Sequence, residues 1–150
     1  MVQTATLVSC ADSKRTGRNP SWSLYNSTLF EKSMTAAMLC GDPFIMSAEH
    51  GLVPVTERLD YYDTYLGDFG DEEIAAWADD VVESIPDQYD RVILFGGRDY
   101  VDPIVERLDC YIIDAYQHTS GNGQQMAVAG NIADNVLDGM CVTEAIYDAW

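Results

Sequence analysis

The stretch RVILFGG, from Arg91 to Gly97, decides how this chain is read. Its first five residues are a short β-branched apolar run bounded by Asp90 and Gly96, the clearest strand signal in the sequence. Moving outward, residues 100–108 have helical spacing and residues 110–115 (CYIIDA) form another strand-like run. On the other side, Ile74, Trp77, Ala78, Val81, Val82 and Ile85 fall on one face of a helix over residues 72–85, which Gly70 or Asp71 can cap. Further out lie two more β-rich runs, residues 43–48 (PFIMSA) and 4–9 (TATLVS). Between them runs a helix over residues 29–40 with Ser27 as its cap. A helix over residues 124–138 and an apolar tail over 140–150, read as a packed terminal helix, complete the pattern.

Strands separated by helices predict βαβ units. The expected fold is α/β, a three-layer Rossmann-like domain with a mostly parallel sheet of about four to five strands, in one domain over residues 1–150. Residues 53–70 read as one long loop, a length that is often functional.

Composition narrows the surroundings. No apolar run approaches the ~20 residues of a membrane span. The opening MVQTATLVSC also lacks the basic and long apolar segments of a signal peptide. A cytoplasmic protein is therefore expected, with Cys10, Cys40, Cys110 and Cys141 as free thiols and no C-x-x-C pair for zinc or redox work. Twenty-five acidic residues, seventeen of them Asp, against eight basic ones give a net charge of -17. Self-repulsion at that charge is relieved by concentrated salt, which points to a halophilic cytoplasm such as that of a haloarchaeon or its virus. The same balance excludes broad binding to a phosphate backbone, because counterion release needs many cations. Lys14, Arg15 and Arg18 nevertheless crowd into five positions, and such a cluster suits an anionic or phosphate-bearing ligand.

Ligands of open parallel sheets bind beyond the carboxyl ends of the strands. Both histidines, Cys10, Lys14 and five of the eleven glycines fall in the segments leaving the predicted strands. Cys10, close to Lys14 and Arg15, is a candidate nucleophile, since cationic surroundings favour the thiolate that attacks electrophiles. Lys14 can hold an anion or give up a proton, and His50 beside Glu49 can act as acid or base. Gly96 and Gly97 allow a ligand close to the backbone, ahead of a helix whose free N–H groups attract anions. Gly121 and Gly123 repeat this before Gln124 and Gln125, whose amides can read a base edge. Ser13, Ser47 and Tyr100 belong to the same segments. In the long loop, Tyr62 offers a face for stacking and Asp63 a carboxylate for amino groups.

The runs LVSCADSK, LYNSTLF, IMSAEHGLVP, LDYYDTYL, GGRDY and GNGQQM, in this order over about residues 6–130, resemble a small family of unknown function from bacteria, archaea and their viruses. More distantly, Cys10-x-x-x-Lys14, Tyr25, Ser27 and Tyr62-Asp63 are similar to the catalytic core of archaeosine synthase and to related 7-deazaguanine DNA-modification proteins. Arg15-Thr16 stands where that enzyme has Pro-Tyr. The resemblance implies an enzyme modifying a purine-like, 7-deazaguanine-type base. In it Cys10 adds to a nitrile carbon, Lys14 or His50 supplies the proton, and the other residues named above bind the substrate.

The expected partner is thus a nucleotide or modified nucleobase, with local contact to DNA or tRNA, without membrane, cofactor or metal. Two rivals remain. One is an N-glycosidase or deoxyribosyltransferase-like enzyme using Asp63 or Glu49, and the other is a non-catalytic nucleotide-binding module. The charge balance makes its own prediction. Dialysis from molar salt to low salt should abolish the far-ultraviolet circular dichroism of the fold, and full retention of the spectrum would sink the halophilic reading.

Overall fold

The computed structural model describes residues 2–150. Its centre is a five-stranded sheet in the order β4-β3-β1-β6-β7. β1 spans Thr4–Ser9, β3 Asp42–Ser47, β4 Gly51–Pro54, β6 Arg91–Phe95 and β7 Tyr111–Asp114. All neighbours are parallel except β4, which folds back antiparallel on β3. The helices α2 (Thr28–Cys40), α5 (Asn122–Leu137) and α6 (Val142–Asp148) pack on one face of the sheet, and α3 (Asp71–Ser84) and α4 (Arg98–Val105) on the other. The three-layer α/β expectation is met, including the strand count.

Alternation along β1 explains the layers. Val8 points into the core under α2 and α5, while Ala5 and Leu7 point into the core under α3 and α4. Thr4, Thr6 and the apolar residues Ala5, Leu7 and Val8 are all buried, as required of a strand covered on both sides. The Thr6 hydroxyl is satisfied by donating to the Ala37 carbonyl of α2 at 3.0 Å. α2 starts where the sequence says it should, with Ser27 Oγ accepting from the Phe30 N–H at 3.3 Å. α3 begins at Gly70, whose N–H donates to Glu73 at 3.1 Å.

From β1 the chain winds through α2 to β3 on one side. It then crosses by α3 to β6 on the other side, and continues through α4 to β7. The direction of winding therefore reverses between β1 and β6, and their carboxyl ends flank the crevice where ligands of such sheets bind.

Residues 53–70 are not one loop. β5 (Arg58–Asp60) pairs antiparallel with β2 (Arg18–Pro20), a short helix α1 (Ser21–Leu24) follows β2, and Leu66–Asp68 form a 3-10 turn. The segment is organised by residues some forty positions away, which local periodicity cannot register. The tail does form a terminal helix, tied down by Trp150 Nε1 donating to the Ala115 carbonyl of the β7 exit at 2.8 Å. Among the described residues no helix is long and apolar enough to cross a membrane.

One close approach is purely steric. A Cβ on Gly41, between α2 and β3, would lie 2.6 Å from the Thr4 carbonyl oxygen, although the Gly41 backbone is extended. Gly41→Ala must shift a core strand and should cost about 1–3 kcal/mol in a urea unfolding midpoint. An unchanged midpoint would show that β1 is not held so tightly.

Candidate active site

Cys10 is the first residue past β1. Its N–H still donates to the Met46 carbonyl of β3 at 3.0 Å, so the strand ladder fixes its backbone. Its side chain emerges half-buried at the end of the sheet, in contact with both cores. On one side it lines a cleft of about 360 Å³ in the β1/β6 crevice. Ser27, Phe30 and Ser33 from α2, Gly96 to Tyr100 from the β6 exit and α4, and Asn122 and Gln125 from α5 form the walls. Space is tight at Gly96, where a Cβ would lie 3.1 Å from the Ser9 side chain and would need it to give way slightly. Three helices thus direct their amino ends at this cleft, which favours negative charge in it.

Phenols surround the sulfur. Tyr100 Oη lies 3.3 Å from Cys10 Sγ, within sulfur hydrogen-bonding reach, and its ring meets Trp77 edge-on. Trp77 is itself anchored by donating to the Ser47 carbonyl at 2.9 Å. Next to Cys10, Tyr25 Oη and Tyr62 Oη share a hydrogen bond of 2.5 Å, and Tyr62 Oη meets Ser47 Oγ at 2.7 Å. Ser47 Oγ also accepts from the His50 N–H at 3.1 Å. Lys14 Nζ lies 4.6 Å from the centre of the Tyr62 ring, a cation–π position, and also donates to the Asp12 carbonyl.

Burial, and then the charge that Cys10 can carry, push Tyr25 from 10.0 up to about 12. The same two causes hold Tyr62 and Tyr100 well above the ordinary phenol range. These hydroxyls therefore keep their protons across physiological pH and serve as donors. Tyr116, buried beneath the cleft with Ser33 Oγ at 2.5 Å from its hydroxyl, is raised to about 12 by burial. Cys40, buried under α2, is raised to about 11 by burial.

A model of a family of unknown function (DUF6884) matches residues 5–130. The chain belongs to this family. The family match runs from β1 into α5 and so contains every wall of the cleft and the whole phenol cluster. No curated protein and no solved structure matches the chain.

Of the residues singled out from sequence, Cys10, Ser27, Gly96, Gly97 and Tyr100 line the cleft, while Lys14, Tyr25, Ser47 and Tyr62 form the cluster beside it. His50 is exposed, with its ring edge-on to Tyr62 at 5.2 Å. Other candidates lie apart. Arg15 donates to the Ser23 carbonyl at 2.9 Å, in a separate groove. Ser13 is exposed and uses its carbonyl to accept from the Asn26 N–H. Glu49 accepts from Thr64 at the surface, and Asp63 is exposed.

At the start of α5, Gly121 caps the helix and Gly123 lies in its exposed first turn. Gln124 is occupied in accepting from the Ser120 N–H at 2.8 Å. Gln125, one position on, turns its side towards the cleft instead. Sequence reasoning did not single out Ser33, Asn122 or Tyr116, whose places at the cleft follow from the packing of α2 against α5. Among the described residues no group of three His, Cys, Asp or Glu is placed to hold a metal ion.

The raised phenols set a pH window. A group whose folded value lies above its unfolded one stabilises the fold fully below the unfolded value and ceases to do so as pH passes the folded one. Tyr25 and Tyr116 should thus withdraw stability between pH 10.0 and about 12. An alkaline titration of tyrosinate absorbance should show a delayed fraction that ionises together with unfolding. A single transition for all tyrosines near their ordinary value would refute the buried cluster.

Proposed function

We propose that the chain is an enzyme that modifies a purine-like base of the 7-deazaguanine type, with Cys10 as nucleophile. The observation that carries this reading is Cys10 itself, held by the strand ladder at the β1/β6 crevice with a phenol hydroxyl 3.3 Å from its sulfur. A cleft of about 360 Å³ is of the scale that takes a nucleobase with its sugar or a phosphate.

The first step is addition of the thiol across a nitrile. Cys10 Sγ bonds to the nitrile carbon, one carbon–nitrogen π bond opens, and its electron pair moves onto nitrogen. The thiol proton ends on that nitrogen, leaving a neutral thioimidate, so no further reagent is consumed. Tyr100 is placed to pass the proton, accepting it from sulfur while giving its own to nitrogen, as general acid–base groups do within hydrogen-bond reach. This assigns to Tyr100 the task first given to Lys14 or His50. Lys14, above Tyr62, supplies positive charge beside the cluster, and exposed His50 stands at its rim. Asn122 and Gln125 offer amides to the edge of the base, and the free N–H groups of Arg98 and Asp99 face an anionic part of the ligand.

The carboxylate-based glycosidase reading loses Glu49 and Asp63 to the surface, but Asp99 lines the cleft and would take their place. Intact-mass analysis separates the two. With a nitrile-bearing 7-deazaguanine, the protein should gain the mass of the whole nitrile on Cys10, and iodoacetamide should label Cys10 ahead of exposed Cys141. Tyr100→Phe should slow adduct formation by about 10²-fold, the low end for a general acid–base group. No adduct, with loss of glycosidase activity in Asp99→Asn but not in Cys10→Ala, would transfer the function to the carboxylate.

A further inference from the structure

Four of the eight basic residues, Lys14, Arg15, Arg18 and Arg58, lie on or beside the ribbon of β2 and β5. Leu59, at the middle of β5, points into the core, so the alternate positions Arg18 and Arg58 face outward. Their pairing differs from that of Arg98 and Arg107, although Lys32 and Arg91, away from the ribbon, also have no carboxylate partner among the described residues. Arg98 and Arg107 are each gripped by an aspartate, at 2.6 and 2.7 Å. Arg15 and Arg58 instead donate to main-chain carbonyls, of Ser23 and Arg18, and among the described residues neither has a carboxylate within ion-pairing distance. Arg18 has only a 3.8 Å contact with Asp60, both side chains being exposed.

An exposed aromatic accompanies these cations. Trp22, 53% exposed, follows the ribbon directly and shares with Arg15, Met38 and Val55 the wall of a groove of about 600 Å³. Tyr25 also lines this groove, while its hydroxyl belongs to the cluster beside Cys10. Tyr25 thus reaches from the groove to the phenol cluster, while α2 lines the groove with Glu31, Met34 and Met38 and the Cys10 cleft with Leu29, Phe30 and Ser33. Glu31 on the α2 wall repels phosphate from that side, and Asp60 does so at the Arg18 end of the ribbon, which leaves Arg15 and Arg58 as the guanidinium groups free to take it.

We propose that the β2–β5 ribbon and the Trp22 groove form a track for single-stranded nucleic acid, which delivers one base of the strand to the Cys10 cleft. This rests on the base-modifying reading of the cleft and names the form in which the base arrives. Unpaired guanidinium groups take successive phosphates, and Trp22 stacks on a neighbouring base. A single strand fits because a flat aromatic face needs an unstacked base. A duplex would instead bring its second phosphate backbone against a surface of net charge -17. A free nucleotide would have no use for cations outside the cleft.

The test is fluorescence anisotropy of a labelled single-stranded oligonucleotide across a salt series, with a mononucleotide and a duplex of the same sequence as competitors. The single strand should bind and resist both competitors. The double variant R15Q/R58Q should weaken binding at least tenfold and reduce the slope of log K against log salt by about 1.4, the contribution of two phosphates on a single strand. W22A should cost about tenfold and W22F much less, since Phe keeps a stacking face. Thermal midpoints of all variants are compared to show that each is folded. Absence of binding, equal binding of the duplex, or affinity unmoved in the folded variants overturns the proposal. The outcome is independent of Cys10 chemistry. Adduct formation with a free nitrile base without strand binding sinks the track alone, whereas strand binding without any adduct sinks the catalytic reading alone.

Discussion

Everything at the candidate site of this molecule depends on the pairing of β1 from both sides. Its backbone is hydrogen-bonded to β3 and β6, its side chains feed both cores, and the ladder continues one residue further through the Cys10 N–H. A residue in that position cannot drift, because moving it means breaking a parallel ladder or shifting two packed layers. The reversal of winding between β1 and β6 opens space immediately beyond it. A fixed thiol at the mouth of an open crevice is therefore a consequence of topology, and the surrounding loops only decide what the thiol meets.

What it meets is a set of protonated hydroxyls rather than a ring of charges. Tyr25, Tyr62 and Tyr100 come from three separate segments and are buried enough to keep their protons. In a chain so rich in carboxylate, neutral phenols are a way to place proton donors beside a sulfur without adding negative charge. Charge is not absent, since Arg98 and Asp99 line the cleft and Lys14 lies over Tyr62, but the groups nearest the sulfur are phenols.

Much of the framework was legible along the chain. The strand runs at 4–9, 43–48, 91–95 and 110–115 match β1, β3, β6 and β7 to within a residue or so, because buried strands are locally apolar and their ends are marked by Gly, Asp or Pro. The helix starts at Ser27 and Gly70 were legible for the same local reason. The ribbon of β2 and β5 was not, since Arg18-Asn19-Pro20 has no strand pattern and becomes one only when residues 58–60 lie beside it. β4 escaped notice too, its Gly51-Leu52-Val53-Pro54 being an edge strand defined by its partner β3.

The division is the same at the site. By itself the sequence determined that Cys10 follows a buried strand, that glycines follow β6 and open α5, and that basic residues crowd behind Cys10, since each is a property of neighbours in the chain. Only the tertiary structure decided that Tyr100 faces the sulfur, that Tyr25 and Tyr62 share a proton-bearing cluster, and that Gln125 rather than Gln124 turns into the cleft. It also decided that Arg15 leaves Cys10 for the Trp22 groove. The physical reason is that direction is set by packing. A rotation of one residue on a helix, or a pairing across forty residues, reassigns a side chain from one cavity to another without altering any local pattern.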